Sequence, residues 1–159
     1  MLTSRISFKN FKITKKKSPL VKKKLLALVK EKNEIIKSLT KDYKNNFNKK
    51  TLKKFKNTLE YRVIGMGGSS LGAQAIYDFL NFKIKKKFFF VDNLKKNYSK
   101  KNKNHTNLVI SKSGNTIETI VNANLLIKKK DRNIFITENK KNYLHILAER
   151  LKADIIHHN

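Results

Sequence analysis

The sequence predicts an α/β fold, a doubly wound parallel five-stranded sheet in a three-layer αβα arrangement that N-terminal helices precede. From Tyr61 onward, short apolar runs alternate with segments in which apolar residues recur at helical spacing. All five glycines lie in two turns that join such runs to helices, within residues 65–72 and at position 114. At 159 residues, the chain is long enough to bury most of its apolar surface in one core.

The first part of the chain has a helical pattern. Residues 1–59 are predicted to form an N-terminal arm and a helical lead-in, and residues 60–159 a single sheet domain. Ser18 is a good N-cap, and Pro19 suits the first helical position, where its missing N–H costs nothing. Apolar spacing continues this helix to about residue 39. A second helix is predicted from four apolar side chains: Tyr43, Phe47, Leu52 and Phe55.

The second part of the chain alternates between strands and helices. Parallel strands are predicted at residues 62–64, 88–91, 107–111, 133–137 and 154–157. Helices are predicted after the glycine-rich turn GMGGSSLG, at about 116–128 and at 141–151. In such sheets, ligands bind at the carboxyl ends of the strands. The loops that follow the first and third strands both lie on that edge.

The segment LVISKSGNTIET, residues 108–119, has the features of a phosphate-binding loop. Three hydroxyl side chains, Ser111, Ser113 and Thr116, lie between a buried strand and a helix. Gly114 gives the loop a permissive backbone, and Lys112 adds a positive charge. The helix that follows leaves its first N–H groups directed into the loop. Backbone donors, hydroxyls and the positive end of a helix dipole together favour an anion.

The glycine-rich turn is compatible with other functions. A dinucleotide fingerprint fails in phase, because the sixth residue from Gly65 is Ser70, although Asp92 could act as the ribose-binding acid. A Walker loop is excluded, since no Gly-Lys-Ser/Thr follows. A nucleophile elbow matches residues 68–72, but the strand before it is the first of the sheet. A purely structural role for the glycines is a further alternative.

Taken together, GMGGSSLGAQAI and ISKSGNTIET resemble the N-terminal half of the glucose-6-phosphate isomerase family, within the wider sugar-isomerase (SIS) domain superfamily. The order and spacing of the two loops, and FVDN after the second strand, belong to this resemblance. It covers about residues 60–159 strongly, with residues 1–59 as the helical lead-in. It implies an SIS-type fold and the reversible conversion of glucose 6-phosphate to fructose 6-phosphate, in glycolysis and gluconeogenesis, without a metal or other cofactor.

The resemblance also implies which residues bind the sugar phosphate. The phosphate ligands would be Ser111, Ser113 and Thr116, the backbone contributors Lys112, Gly114 and Asn115, and the sugar contacts Gly68 and Ser69. In this family the glutamate base, the ring-opening histidine and the arginine lie beyond the point where this sequence stops. We therefore expect a truncated chain without catalytic residues, inactive alone, and a homodimer for the complete protein. The alternative is a free-standing SIS module that binds or senses a sugar phosphate.

Composition excludes several other classes of protein. The net charge of +27 suggests nucleic acid as a partner, but only four of the 38 basic residues are arginine, which dominates sequence-reading surfaces. The absence of cysteine excludes disulfides and thiolate metal sites. No apolar run approaches membrane-spanning length, and the N-terminus lacks a signal-peptide core. We expect a cytoplasmic protein with neither a membrane nor a nucleic-acid partner.

Overall fold

The computed structural model describes residues 18–31, 33–38, 40–44, 47–94 and 105–158. The predicted N-terminal arm, residues 1–17, lies outside these ranges. The chain divides into two compact units, Met1–Lys44 and Asn45–Asn159, ahead of the predicted boundary at residues 59 and 60. Among the described helices, none combines the length and the apolar character that a membrane span requires.

The described part of the first unit contains two short helices, α1 (Pro19–Val29) and α2 (Glu34–Ser38). The predicted start is confirmed, because the Ser18 hydroxyl accepts a hydrogen bond from the Val21 N–H at 3.3 Å. The prediction of one helix to residue 39 is wrong. Asn33 interrupts it, since its side-chain oxygen accepts the Ile36 N–H at 2.9 Å and caps a new helix.

The second unit begins with α3 (Lys49–Lys54), which Asn48 caps. The predicted helix from Tyr43 to Phe55 is therefore too long at its start. Phe55 ends α3 and is buried, and its carbonyl oxygen accepts the Tyr61 hydroxyl at 2.9 Å. This contact joins the end of α3 to the first strand of the sheet.

The sheet contains five parallel strands in the order β2-β1-β3-β4-β5, which confirms the predicted sheet. Its strands are β1 (Glu60–Gly65), β2 (Lys87–Val91), β3 (Thr106–Ile110), β4 (Arg132–Glu138) and β5 (Asp154–His158). The helices between them are α4 (Gly68–Leu80), α5 (Ile117–Leu126) and α6 (Tyr143–Arg150). The strand order reverses at β1, because β2 lies on one side of it and β3 on the other.

The two faces of the sheet are covered by different helices. On one face, Ile64, Val109 and Phe135 are fully buried in a cluster that α5 and α6 complete. Successive strand residues point to opposite faces, so Val63 and Ile134 lie on the other side, where both are buried. There the Tyr77 ring of α4 packs 5.2 Å from the Phe88 ring, between centroids. The predicted α/β architecture with helices on both faces is confirmed.

The helix α4 is oriented differently from what its apolar pattern suggests. Ser70 is its buried residue, whereas Leu71, Ile76 and Phe79 are exposed by 57%, 62% and 49%. The side of α4 that meets the sheet is therefore partly polar, and its apolar side faces outward.

The amino-terminal edge of the sheet contains a polar network. The Arg62 guanidinium of β1 donates to the carbonyl oxygen of Leu126, the last residue of α5, at 3.1 Å. Burial lowers the pKa of this guanidinium, and the Asp131 carboxylate opposes the shift. Beside it, the Asn107 amide donates to the Asn133 side-chain oxygen at 2.8 Å. Arg62 thus bonds the C-terminal end of α5 to β1.

Replacing Arg62 with methionine should reduce the free energy of unfolding by about 1–3 kcal/mol, the usual effect of losing a hydrogen bond from a charged group. The Leu126 carbonyl would lose its guanidinium donor and the Asp131 carboxylate a nearby positive charge. Urea unfolding of Arg62→Met and of wild type measures the change. Arg132→Met is the control, because Arg132 is an exposed strand arginine. Equal losses in both variants would contradict the prediction.

Candidate anion-binding site

The point where the strand order reverses lies between β1 and β3. These strands are neighbours, and Gly65 pairs with Ile110 at their carboxyl ends. We call residues 65–68 the glycine loop and residues 111–116 the serine loop; they lead into α4 and α5, which lie on opposite faces of the sheet. Open α/β sheets bind ligands in the crevice that forms at such a switch point. The two predicted loops therefore flank the position at which such sheets bind ligands, and we call this position the crevice.

Two glycines of the glycine loop are required by the fold itself. A Cβ atom at Gly65 would lie 3.0 Å from the Ile110 carbonyl oxygen and 3.3 Å from the Ser69 Cβ, so the strands leave it little room. Gly67 has a φ of +54°, a conformation that glycine adopts without strain. Gly68 has neither constraint: its φ is not positive, and a Cβ built there would meet no described atom within 4 Å apart from its chain neighbours and the backbone of its own helix.

Ser70 does not suit the nucleophile-elbow alternative. That motif presents its serine hydroxyl at an exposed turn. Ser70 is fully buried, and its hydroxyl donates to the Gly67 carbonyl oxygen at 3.3 Å. The geometry therefore disfavours acyl-transfer chemistry at this loop.

The hydroxyls of the serine loop converge. The Ser111 Oγ lies 3.0 Å from the Thr116 Oγ1 and accepts the Gly114 N–H at 3.2 Å. Ser113 is exposed, and its Oγ accepts the Asn115 N–H at 3.3 Å. Ser111 itself is 2% exposed. A buried hydroxyl, a half-buried hydroxyl and a backbone donor thus meet at one point.

Both helices that begin at the crevice lack a side-chain cap. Gly67 and Thr116 occupy the cap positions of α4 and α5; Gly67 has no side chain, and the Thr116 hydroxyl accepts no helix N–H. By contrast, Ser18, Asn48 and Asn142 each accept one at the starts of α1, α3 and α6. At α4 the Ser69 and Ser70 N–H groups bond to the Met66 and Gly67 carbonyl oxygens at 3.1 and 3.0 Å, whereas the positive end of the α5 dipole remains directed at the crevice.

The loop between β4 and α6, residues 139–142, and the residues that flank it hold the serine loop from one side. The Lys112 carbonyl oxygen accepts the Glu138 N–H at 3.0 Å and the Thr137 hydroxyl at 3.3 Å. Thr137 is fully buried. The first part of the serine loop is thus bonded to the end of β4.

The second part of the serine loop is bonded to the start of α6. The Gly114 carbonyl oxygen accepts the Leu144 N–H at 3.1 Å, and the Asn115 side-chain oxygen accepts the Tyr143 N–H at 3.0 Å. The side-chain oxygen of Asn115 is therefore engaged within the protein. Its backbone N–H is also engaged, by Ser113, so Asn115 is placed to support the loop.

The Lys112 side chain is exposed and lies near an acidic residue at the end of β4. Its ammonium lies 3.9 Å from Glu138 Oε1, and that of Lys140 lies 3.1 Å from Glu138 Oε2. The hydrogen bond from Lys140 holds the pKa of the Glu138 carboxyl below its ordinary value against an opposing effect of desolvation, and the charges of Lys140, Lys112 and His158 act in the same direction as the hydrogen bond. The resulting stabilisation is present at neutral pH and is lost as pH falls through the lowered pKa.

The structure brings the predicted residues to one edge of the sheet. The six residues of the serine loop form a continuous turn, and Gly68 and Ser69 begin α4 beside the neighbouring strand. Thr137 and Asn142 were not predicted as residues of this site. Both are buried polar residues that contact the serine loop or its partners. A signal for Asn142 does exist in the sequence: an asparagine directly precedes the helical pattern of residues 143–150.

A cleft of about 700 Å³ lies away from these residues, at the amino-terminal edge of the sheet. Thr58, Glu60, His105, Asp131 and Arg132 contribute to its lining. The concave shape of the surface alone would therefore favour a binding site at the amino-terminal edge. The carboxyl edge is distinguished instead by its convergent donors and its uncapped helices.

Known proteins with similar sequences share one activity. The chain is 39% identical over 93 residues to a protein of Borrelia garinii subsp. bavariensis, 38% over 127 residues to one of Methanocaldococcus jannaschii, and 34% over 135 residues to one of Mycoplasmoides gallisepticum. All three relatives are glucose-6-phosphate isomerases. The alignments cover 51%, 71% and 74% of this chain, but the chain spans only 17%, 30% and 32% of these isomerases.

Other comparisons add information about the fold alone. A hypothetical protein from Thermus thermophilus superposes with a TM-score of 0.55 at 21% identity, over 64% of this chain and 28% of that structure. No protein-family model matches the chain. The likeness to the isomerases thus comes from sequence, and the likeness to the Thermus protein supports the α/β architecture.

Replacing Gly114 with alanine should destabilise the protein by at least about 1–2 kcal/mol, because its φ of +67° is costly for an L-residue. The added Cβ would also overlap the side-chain amide of Asn142. Urea unfolding measures the loss. Gly72→Ala is the matched control, since Gly72 lies in α4 with open space around it. There alanine should be neutral or stabilising. Equal stability of Gly114→Ala and wild type would contradict this prediction.

Proposed function

We propose that this chain is the sugar-phosphate-binding portion of a glucose-6-phosphate isomerase, with an SIS-type domain. In this proposal it holds the phosphate of glucose 6-phosphate or fructose 6-phosphate while the complete protein interconverts the two. One observation carries the proposal: Ser111, Thr116 and the Gly114 N–H converge beside the uncapped start of α5. The sequence similarity to three glucose-6-phosphate isomerases supports it.

The serine loop provides donors that suit a phosphate dianion. A phosphate oxygen seated over the loop would accept from the Ser111 and Thr116 hydroxyls and from N–H groups at the start of α5. Ser113 and the backbone N–H of Lys112 complete the proposed set, and Gly114 and Asn115, whose N–H groups bond to Ser111 and Ser113, contribute by shaping the backbone around the ligand. The hydroxyls already lie within 3.0 Å of each other, so ligand binding requires only that they rotate.

The glycine loop is proposed to contact the sugar. Apart from its chain neighbours and its own helix, no described atom restricts the space beside Gly68, so a ligand can approach the backbone there. Ser69 is half-buried at the start of α4 and places a further hydroxyl on this side. The positive end of the α4 dipole lies on this side as well, and it favours the electron-rich oxygens of the sugar.

The catalytic groups are proposed to lie in the parts of the isomerases that this chain does not span. Aldose–ketose isomerisation requires a base that moves a proton between C1 and C2, groups that open the ring, and a positive charge near the enediolate oxygens. The serine loop offers hydroxyls and amides, which bind a phosphate but do not perform these steps. The proposed reaction needs no metal or other cofactor. We further propose that the complete protein is a cytoplasmic homodimer, with no nucleic-acid or membrane partner.

Calorimetric titration tests the phosphate site. The chain should bind fructose 6-phosphate and show no comparable affinity for free fructose, because the phosphate supplies the main contacts. Ser111→Ala should weaken fructose 6-phosphate binding about tenfold or more, as expected for a lost hydrogen bond to a charged group. Ser38→Ala, which removes an exposed hydroxyl bonded to the Ile35 carbonyl, is the control. Equal affinity for both sugars would rule out the phosphate-binding assignment.

A turnover assay tests the assignment of catalysis to other parts of the protein. The purified chain, incubated with fructose 6-phosphate, should produce no glucose 6-phosphate at concentrations where calorimetry detects binding. The isomerase of Methanocaldococcus jannaschii, measured under the same conditions, shows that the assay responds. Turnover by the 159-residue chain alone would refute the proposal that its residues only bind substrate.

A further inference from the structure

We propose that Asn142 is a positioning residue of the sugar-phosphate site, which sets the conformation of the serine loop through Gly114 and Thr137. This inference rests on the proposed function, since the ligand of the loop is taken to be a sugar phosphate. Asn142 belongs to the start of α6, not to the serine loop, and it acts on the ligand only through other residues.

The Asn142 side chain is fixed at both of its polar atoms. Its Oδ1 accepts the His145 N–H at 2.9 Å, and its Nδ2 donates to the Thr137 Oγ1 at 3.0 Å. The residue is 6% exposed. An amide bonded at both ends in a buried position keeps one orientation, which makes it a rigid surface for its neighbours.

Gly114 packs directly against this amide. A Cβ at Gly114 would overlap the Asn142 side chain, so the backbone of the loop lies as close to it as a glycine permits. Gly114 also has a φ of +67° and donates its N–H to the Ser111 hydroxyl. The position of the Asn142 amide therefore determines where Gly114 lies, and Gly114 in turn orients the hydroxyl proposed to bind phosphate.

Thr137 provides a second route from Asn142 to the loop. Its hydroxyl accepts from Asn142 and donates to the Lys112 carbonyl oxygen at 3.3 Å. A hydroxyl has one proton to donate, and the Asn142 amide leaves it only this direction. Asn142 thus contacts the serine loop near its start, through Thr137, and near its middle, at Gly114.

Capping of α6 does not account for all of these contacts. Capping requires only an acceptor, and serine supplies one about as well as asparagine. Asn48 performs the same task at the exposed start of α3, where it accepts the Lys50 N–H at 2.8 Å. At Asn142 the donor side of the amide is engaged as well, and that side reaches towards the serine loop.

The test compares Asn142→Ser with the matched control Asn48→Ser. Both variants keep a capping oxygen, but Asn142→Ser also loses the buried bond to Thr137, so its urea midpoint should fall further than that of Asn48→Ser. Calorimetric titration with fructose 6-phosphate should show an affinity about tenfold weaker for Asn142→Ser, a loss equivalent to one hydrogen bond, and no change for Asn48→Ser. A residue that acts only on stability would change the urea midpoint without a separate loss of affinity.

A second pair of variants keeps the test decisive if Asn142→Ser does not fold. Thr137→Val preserves the shape of a buried side chain, leaves the cap of α6 in place and removes the hydroxyl between Asn142 and Lys112. It should weaken fructose 6-phosphate binding, and Thr137→Ser, which restores the hydroxyl, should bind as wild type does. This recovery by the conservative variant would support a positioning role.

The outcomes separate the two proposals. If wild type binds fructose 6-phosphate but Thr137→Val and every folded Asn142 variant bind it equally well, the positioning role is overturned and the phosphate site stands. If wild type binds no fructose 6-phosphate, the proposed function fails and the positioning role fails with it. Selective loss in Asn142→Ser, or in Thr137→Val with recovery in Thr137→Ser, supports the inference.

Discussion

A loop that turns from a buried strand into a helix must find partners for its backbone polar groups, and this requirement organises the site described above. The serine loop meets it with donors from the end of β4 and the start of α6, which bond to the carbonyl oxygens of Lys112 and Gly114. These carbonyl oxygens already accept hydrogen bonds within the protein. The hydroxyls and the first N–H groups of α5 are the groups that face the crevice. The conformation of the serine loop therefore depends on its contacts with the end of β4 and the start of α6 as well as on its own sequence.

Much of the fold follows from local sequence patterns. The five parallel strands were predicted because strands buried on both faces read as continuous apolar runs. The start of α1 was predicted because Ser18 and Pro19 act within one helical turn. The break at Asn33 was missed, since an asparagine inside an apolar pattern is compatible with either a helix interior or a cap. The side of α4 that meets the sheet was also not evident, because burial of Ser70 depends on the neighbouring strand.

The site was predicted only in part, because some residues that support it are distant from it in the sequence. Residue types and spacing indicated the serine loop, since hydroxyls, a glycine and a helix start are adjacent in sequence. Thr137 and Asn142 act on that loop from more than twenty residues away, and the pairing of β3 with β4 is what brings them there. Asn115 illustrates the same limit: its amide could have served a ligand, but its oxygen bonds to the Tyr143 N–H. Tertiary contacts of this kind leave no periodic signal in the chain.

The bond between Arg62 and the last carbonyl of α5 affects the electrostatics of the opposite end of that helix. A helix dipole presents both poles, and the field of the negative pole partly cancels that of the positive pole at a distance. The guanidinium neutralises the negative pole at the amino edge of the sheet. The two ends of α5 thus have different partners: its last carbonyl is bonded within the protein, whereas its first turn has no side-chain cap and faces the crevice.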